Sequence, residues 1–153
     1  MKNLKEYIFE TKKVKHTLFP KNEVELEQMI KDEIRKNGIR CSLNHIDVSK
    51  VKSMRNLFNE GGGGIRFNGD ISQWDVSKVK EVDGMFAHSE FNGDLSKWKL
   101  DSVQNIFHVF HKYALQKHHH NLHRQGKELP KLPKKYSSSG EVYYTFYYLS
   151  GED

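Results

Sequence analysis

Apolar and polar positions repeat along the middle of the chain with a fixed period. Residues 67–84 read FNGDISQWDVSKVKEVDG, residues 91–108 read FNGDLSKWKLDSVQNIFH, and Trp74 corresponds to Trp98, 24 residues later. A period of this length is typical of repeat arrays, in which each unit buries its apolar face against its neighbours. Because such arrays usually present a binding surface, the pattern favours an interaction protein.

An earlier copy of the same pattern precedes these two. Residues 43–58 read LNHIDVSKVKSMRNLF, and DVSKV at 47–51 matches DVSKV at 75–79 with an offset of 28. The four additional residues equal the length of the run Gly61–Gly64, so we interpret that run as an insertion between the first and second units. Three units are about the minimum at which stacking builds a stable core.

The apolar period changes within each unit. In the second unit, residues 74–77 alternate between apolar and polar side chains, which predicts a short half-buried strand. Residues 79–86 then place apolar side chains at spacings of three, three and one, which predicts one face of a short helix with Ser77 as its N-cap. The FNGD sequence at 67–70 is typical of a turn. We therefore predict an α/β fold, in which about three strand–turn–helix units stack and form a small parallel sheet.

The repeated motif, F-N-x-D-[IL]-S-x-W-(D)-V-S-x-V-x-x-M-x-x-M-F, resembles the BspA-like leucine-rich repeat, the bacterial surface protein repeat of mycoplasma lipoproteins and many gut bacteria. The resemblance covers roughly residues 41–110. The third unit departs from the motif at Lys99, Leu100 and Asp101, as suits a last unit that turns into a cap. The resemblance implies a short leucine-rich-repeat-like solenoid with a binding role, and it implies no activity and no cofactor.

A helix is predicted ahead of the repeats, at residues 22–37. Asn22 is suited to cap its first turn, and Gly38 is suited to follow its end. Its apolar side chains are Val24, Leu26, Met29, Ile30 and Ile34. Because the end of a repeat array needs a cover, we expect residues 1–40 to form an N-terminal helical cap on the first unit.

The chain after the repeats predicts a helix followed by a strand. Helical apolar spacing continues from Val103 to Leu115, and the helix could extend to about Arg124 before Pro130 and Pro133 interrupt the chain. Residues 141–149, EVYYTFYYL, are rich in aromatic and β-branched residues and predict a strand. We expect this strand either to pack on a C-terminal cap or to expose an aromatic surface to a partner.

We expect these parts to form a single compact domain. At 153 residues the chain is long enough for one hydrophobic core. The expected parts are the N-terminal helical cap at residues 1–40, the repeats at residues 41–110, and a basic, histidine-rich helix, loop and aromatic strand at residues 111–153.

Positive charge is concentrated after the repeats. The chain carries a net charge of +5, and residues 111–136 hold seven basic residues against the single acid Glu128. The basic side chains that we predict to contact a partner are Lys117, Arg124, Lys131, Lys134 and Lys135. Together with Tyr113 and Tyr136, this segment could bind nucleic acid through phosphate contacts and base stacking.

Within the repeats, equivalent outward positions are expected to form rows. One row comprises His45, Gln73 and Lys97, and the next comprises Asp47, Asp75 and Lys99. If the strands line an open face, a ligand would meet these two rows; the alternative is an ordinary solvated face. Trp74 and Trp98 occupy core positions and are expected to be buried and stacked.

The sequence indicates neither a metal site nor an active site. His119 and His123 are four residues apart and could bind zinc or nickel from one helix face, but no carboxylate or thiolate nearby would complete the site. The Gly61–Gly64 run lacks the Lys-Ser or Lys-Thr of a phosphate-binding loop. With no nucleophile elbow and no dinucleotide fingerprint either, we predict no enzyme and no cofactor.

The cysteine content and the N-terminus bear on location. Cys41 is the single cysteine, which excludes an intramolecular disulfide and favours a reducing compartment. Residues 1–10 lack the apolar core of a signal peptide, and no apolar run is long enough to span a bilayer. We therefore expect a location in the bacterial cytoplasm, without membrane contact, unless a signal peptide has been removed.

The sequence favours a non-enzymatic protein–protein interaction module. Short versions of the resembling repeat that lack a signal look like those in phage and mobile-element genomes, so the partner could be a host protein, as for an anti-CRISPR-type inhibitor of host defence. One alternative is a nucleic-acid-binding protein that acts through residues 111–136. Another is a surface or adhesive repeat protein, as many relatives of the resembling family are.

Overall fold

The computed structural model describes residues 14–104 and Val109. Within this part the regular elements are one α-helix, α1, at Glu23–Asn37, and a single-turn 3-10 helix at Glu60–Gly62. The other described residues form turns and connections, with isolated parallel β-bridges in place of a sheet. One hydrophobic core extends from α1 through all three units.

Helix α1 confirms the predicted N-terminal helix, and its two ends explain where it forms. The Asn22 side chain accepts a hydrogen bond from the Glu25 N–H at 2.9 Å, which satisfies a free donor of the first turn. At the other end the Gly38 N–H donates to the Ile34 carbonyl at 2.7 Å. Gly38 has a φ of 83°, a conformation that glycine adopts readily, so the helix ends there.

One face of α1 packs into the core beside the first unit. Leu26 and Ile30 are completely buried, and Met29 and Ile34 are partly buried next to them. Val24, which we predicted on the same apolar stripe, is instead 73% exposed. Because successive residues of a helix are separated by about 100°, Val24 lies about 200° from Leu26, on the opposite side of the helix.

Tight turns pair the apolar residues of each unit. In the second unit the N–H groups of Trp74, Val79 and Met85 donate to the carbonyl oxygens three residues earlier, at 3.2, 3.0 and 3.1 Å. The equivalent turns join Leu43 to Ile46, Val48 to Val51 and Met54 to Leu57 in the first unit, and Leu95 to Trp98 and Leu100 to Val103 in the third. Both ends of each of these eight turns are buried, and polar residues or glycine occupy the two positions between them.

The predicted α/β fold, a leucine-rich-repeat-like solenoid with a parallel sheet, is wrong. No strand or sheet forms among residues 14–104, and residues 79–86 are not helical. An apolar spacing of three fits a helix face, but it is also the spacing between the two ends of a hydrogen-bonded turn. Moreover, Gly84 has a φ of 62°, and its equivalent in the first unit, Asn56, has a φ of 54°. A residue in the left-handed region interrupts a right-handed helix.

The predicted strands also lack the room to form. In the second unit only Asp75 separates the turn at 71–74 from the turn at 76–79. The Asp75 carboxylate accepts the Ser77 N–H at 3.1 Å, so this donor is not available to a neighbouring strand. Ser77, predicted as a helix N-cap, therefore lies inside a turn, and its hydroxyl donates to Asp75 at 2.6 Å.

Successive units nevertheless stack in register. A parallel bridge joins Ser53 to Glu81, 28 residues later. The Gln104 N–H donates to the Lys80 carbonyl at 2.7 Å, across an offset of 24. These pairs confirm both offsets that the sequence predicts, and they place the four-residue insertion between the first and second units.

The inserted glycine run folds into a compact turn. Its first part is the 3-10 helix at Glu60–Gly62, in which the Asn59 side chain accepts the Gly62 N–H at 3.0 Å. The backbone then folds back so closely that a Cβ atom on Gly64 would collide with the Asn56 carbonyl oxygen. Glycine is therefore required at position 64 because any side chain would displace the backbone of the first unit.

Aromatic side chains of successive units stack inside the core. The rings of Trp74 and Trp98 lie 6.4 Å apart and nearly parallel, and both side chains are buried, which confirms the predicted pair. Phe58 stacks on Phe67 at 5.0 Å and on Phe86 at 5.6 Å. Each such pair contributes about 0.5–1.5 kcal/mol beyond the burial of its area. Aromatic stacking and backbone hydrogen bonds together hold neighbouring units in register.

A segment ahead of α1 adds a further layer that we did not predict. Leu18 forms a parallel bridge with Ile46, again 28 residues later. The Thr17 N–H donates to the His45 carbonyl at 2.9 Å, and the Asp47 N–H donates to the Leu18 carbonyl at 2.8 Å. Backbone pairing therefore covers one edge of the first unit, in addition to α1.

Candidate interaction face

The register of the units brings the predicted outward residues into rows. Trp74 stacks on Trp98, so the residues beside them in sequence, such as Gln73 and Lys97, take equivalent positions in neighbouring units. The Gln73 N–H also donates to the Asn44 side chain of the first unit at 2.9 Å. We call the two rows the polar face, which comprises His45, Gln73, Lys97, Asp47, Asp75 and Lys99. His45 and Asp47 are half-buried and the other members are exposed.

His45 is the member of the polar face that is tied to α1. Its Nε2 lies 3.1 Å from Oε2 of Glu33. Lys36 Nζ lies 3.8 Å from the other oxygen of the same carboxylate. His45 therefore links α1 to the first unit and is less available to a ligand than Gln73 or Lys97.

The two aspartates of the polar face shape the backbone around them. Asp47 accepts the Ser49 N–H at 3.0 Å, and Asp75 accepts the N–H and the hydroxyl of Ser77. Hydrogen bonds from these serines, assisted by neighbouring lysines, hold the pKa of Asp47 and of Asp75 below its ordinary value. Both carboxylates are thus ionised at neutral pH, and their structural role is one that we did not predict.

The same Asp-x-Ser arrangement occurs at the start of the second and third units. Asp70 accepts the Ser72 N–H and Asp94 accepts the Ser96 N–H, both at 2.9 Å. Burial pushes the pKa of Asp70 upward, but hydrogen bonds from Ser72 and Asn44 outweigh burial and leave that pKa below its ordinary value. The recurring Asp-x-Ser spacing is the sequence signal that could have identified these turns, since an aspartate accepts readily from the N–H two residues on.

A second set of rows lies on the first two units and was also missed. Four exposed lysines flank two buried valines: Lys50 and Lys52 beside Val51, and Lys78 and Lys80 beside Val79. The Lys80 N–H donates to the Lys52 carbonyl at 2.8 Å, so the two segments run side by side. We call these four lysines the lysine face. The signal that could have found it is the segment DVSKVK, which occurs at both 47–52 and 75–80.

Cys41 lies partly buried beside the core, in surroundings that disfavour the thiolate form. Burial raises the pKa of its thiol, and the nearby Glu33 carboxylate raises it further. A thiol that stays protonated attacks poorly. The equivalent residue of the second unit is Gly69, where a Cβ atom would collide with the Cys41 carbonyl oxygen.

Several predicted site residues lie outside the described residues: Lys117, Arg124, Lys131, Lys134, Lys135, His119 and His123. The predicted loop and aromatic strand lie outside them too, as does the predicted C-terminal helix except for Val103, Gln104 and Val109, which are not helical. Within residues 14–104, no three or more histidine, cysteine, aspartate or glutamate side chains are grouped so that they could hold a metal ion. The same part of the chain contains no helix with the length and apolar character needed to cross a membrane.

Comparison with known proteins assigns the chain to a family. A family model described as Mycoplasma protein of unknown function, DUF285, matches residues 24–125, which is 102 of the 153 residues. No curated protein and no solved structure matches the chain. The match agrees with a relationship to mycoplasma repeat proteins and leaves the leucine-rich-repeat assignment without support. The chain therefore belongs to this mycoplasma protein family, DUF285.

Proposed function

We propose that this chain is a protein-binding module without catalytic activity, and that the polar face contacts the partner. The observation that carries the proposal is the register of the units. It places polar side chains at equivalent positions of neighbouring units on the outside, while the large apolar side chains fill the core. Repeat proteins commonly use such periodic surfaces to bind their partners.

The order of charges along the polar face supports a specific partner. Asp47 and Asp75 occupy the first two units, whereas Lys99 takes the equivalent position in the third. Lys97 adds a second positive charge at that end. A partner with the complementary order of charges would bind in one orientation and in one register. This pattern suits a protein surface better than a polymer of uniform charge.

Affinity capture from a bacterial lysate with matched variants tests the proposal. The variant Gln73→Glu/Lys97→Glu changes the polar face, and the control Gln28→Glu/Lys31→Glu makes the same changes on the exposed side of α1. We expect the unchanged protein and the control to capture a partner at moderate salt, and the polar-face variant to lose it. Equal capture by all three proteins, or capture by none, would contradict the proposal.

The resemblance to BspA-like repeats supports a binding role at the level of the sequence motif. The match to a mycoplasma family is in keeping with a bacterial protein. The phage origin, the host-defence target and the cytoplasmic location stay predictions from the sequence. Identification of a captured partner by mass spectrometry would test the host-protein prediction directly.

Nucleic-acid binding through residues 111–136 is a second candidate function. The observation that favours it is the excess of seven basic residues over one acid in that segment. A mobility-shift assay at two salt concentrations tests it, with a variant in which Lys131, Lys134 and Lys135 are changed to alanine. Nucleic-acid binding through phosphates predicts a steep loss of affinity with salt and a strong effect of the three substitutions. An affinity that changes neither with the salt concentration nor with the three substitutions would exclude this function.

A further inference from the structure

We propose that the lysine face, formed by Lys50, Lys52, Lys78 and Lys80, binds an acidic segment of a partner protein. This inference rests on the proposed function as a protein-binding module and names the chemistry of the partner. It uses residues outside the polar face, so the two proposals can be tested by separate variants.

The lysine face is built on a fixed backbone. Val51 and Val79 are completely buried, and the N–H of each closes a turn, at 2.9 and 3.0 Å. The hydrogen bond from the Lys80 N–H to the Lys52 carbonyl holds the two segments beside each other. Backbones paired in this way lie about 4.8 Å apart. The backbone atoms of the four lysines therefore occupy neighbouring, well-defined positions.

Among residues 14–104, no ion pair within 4 Å joins a lysine of the lysine face to an acidic side chain. The ion pairs between described residues involve α1, His45, Arg55 and Arg66, and none of them uses these four lysines. Like charges on directly neighbouring positions oppose folding. A surface that repeats Lys-Val-Lys in two adjacent units thus has cations available to an external anion.

The third unit limits the size of the lysine face. At the positions of Lys78 and Lys80 it carries Ser102 and Gln104. The Gln104 backbone pairs with that of Lys80, so the third unit continues the row. The row carries no positive charge there, because glutamine is neutral. The face is therefore a patch two units wide, which suits a short acidic segment better than a long polyanion.

Neighbouring aspartates favour a protein over a nucleic acid. Asp47 interacts electrostatically with Lys50, and Asp75 does so with Lys78. A row of ionised carboxylates beside the lysines repels the continuous negative charge of a phosphodiester backbone. A protein segment can instead place carboxylates opposite the lysines and a neutral or basic residue opposite the aspartates.

Fluorescence anisotropy with a labelled peptide, a run of glutamates followed by two lysines, tests this proposal on the full chain. We expect Lys52→Glu/Lys80→Glu to bind the peptide about ten-fold more weakly than the unchanged protein. The control Lys15→Glu/Lys21→Glu makes the same change of net charge at exposed positions ahead of α1 and should bind as the unchanged protein does. Because residues 111–136 are basic in every variant, only the difference between variants is informative.

Equal affinities for the two variants would overturn the proposal, since the attraction would then follow net charge alone. A short oligothymidylate and vesicles containing phosphatidylserine serve as comparison probes. Tighter binding of either one, lost in Lys52→Glu/Lys80→Glu, would assign the lysine face to phosphate groups and overturn the protein partner. None of these results would affect the capture of a partner through Gln73 and Lys97. A failure of the lysine-face proposal can therefore be distinguished from a failure of the proposed function.

Discussion

The indole N–H of Trp98 donates a hydrogen bond to the carbonyl oxygen of Ile71, at 3.0 Å. The same carbonyl accepts the backbone N–H of Trp74 at 3.2 Å and so closes a turn of the second unit. One unit earlier, the indole N–H of Trp74 donates to the Leu43 carbonyl at 2.9 Å. Each tryptophan therefore binds the turn of the preceding unit, which couples stacking to turn formation.

This coupling predicts the effect of Trp98→Phe. Phenylalanine keeps an aromatic ring in the stack but removes the hydrogen bond to Ile71 and leaves a small cavity. Together these losses should lower the free energy of unfolding by about 2 kcal/mol. Urea unfolding followed by circular dichroism measures the change, with Gln73→Ala at an exposed position as the control. A loss no larger than that of the control would contradict the coupling.

Gly84→Ala tests the turn that takes the place of the predicted helix. Gly84 has a φ of 62°, and an added Cβ atom would displace the Asn56 side-chain oxygen, which accepts a hydrogen bond from the Asn59 side chain at 3.0 Å. Gly63→Ala is a matched control, because Gly63 has a φ of 84° and open space around its Cβ position. We expect urea unfolding to give a loss of about 1 kcal/mol for the control and about 2 kcal/mol or more for Gly84→Ala. If residues 79–86 were helical, Gly84→Ala would stabilise the protein instead.

Acid should weaken the fold through the Asp-x-Ser turns. Serine hydrogen bonds lower the pKa of Asp47 and Asp75 in the folded state, and at Asp70 such bonds outweigh the opposing effect of burial. The pKa of each group in the folded state thus lies below the unfolded value of about 3.9. Their stabilisation is present above the unfolded pKa and is lost as the pH falls through the folded pKa.

Asp75→Asn isolates one of these groups. Asparagine keeps an oxygen that can accept the Ser77 N–H, but it does not titrate. We expect the urea midpoint of the unchanged protein to fall between about pH 5 and about pH 3, and that of the variant to fall by less. Identical decreases in the two proteins would show that Asp75 does not contribute to acid sensitivity.

Leu26→Ala and Val24→Ala test how α1 packs. Leu26 is completely buried, so its truncation should lower the free energy of unfolding by about 2–5 kcal/mol. Val24 is exposed, so its replacement should change stability by less than about 0.5 kcal/mol. Thermal and urea unfolding measure both. Comparable losses would place Val24 in the core and contradict the observed orientation of the helix.

The parts of the fold that follow local rules could be predicted from the sequence. Helix α1 begins after Asn22 and ends before Gly38, because capping and a glycine with positive φ act over a few residues. The offsets of 28 and 24, and the stacked Trp74 and Trp98, follow from the repeat itself. The capping residues, the glycine and the repeat offsets are each compatible with one local structure, so each could be interpreted correctly.

The inner structure of the units was mispredicted because one apolar spacing fits two structures. Val76, Val79, Val82 and Met85 each follow the previous one by three residues, which suits a helix face as well as a succession of turns. Gly84 was the residue that could have decided between them, since a glycine in a short helix is unfavourable. Leu18 was missed because its segment pairs with the first unit through backbone hydrogen bonds, which leave no side-chain signature. The Leu18 side chain also packs against the core, but a single apolar position forms no periodic pattern.

The polar face was predictable in position but not in detail. Its rows follow from the register, so Gln73 and Lys97 could be placed by counting. The hydrogen bonds that Asp75 accepts from Ser77 depend on a local backbone geometry that differs from that of the predicted strand. The lysine face was missed because Lys52 and Lys80 were assigned to helices and not to paired segments.

Scalar couplings across hydrogen bonds, measured by long-range HNCO spectroscopy, test the stacked-turn account most directly. The account predicts cross-peaks from the Phe58 N–H to the Met85 carbonyl and from the Gln104 N–H to the Lys80 carbonyl, which join successive units. It also predicts that the Val79 N–H couples to the Val76 carbonyl within one turn. Absence of the couplings between units, together with couplings to carbonyls four residues earlier across 79–86, would contradict it.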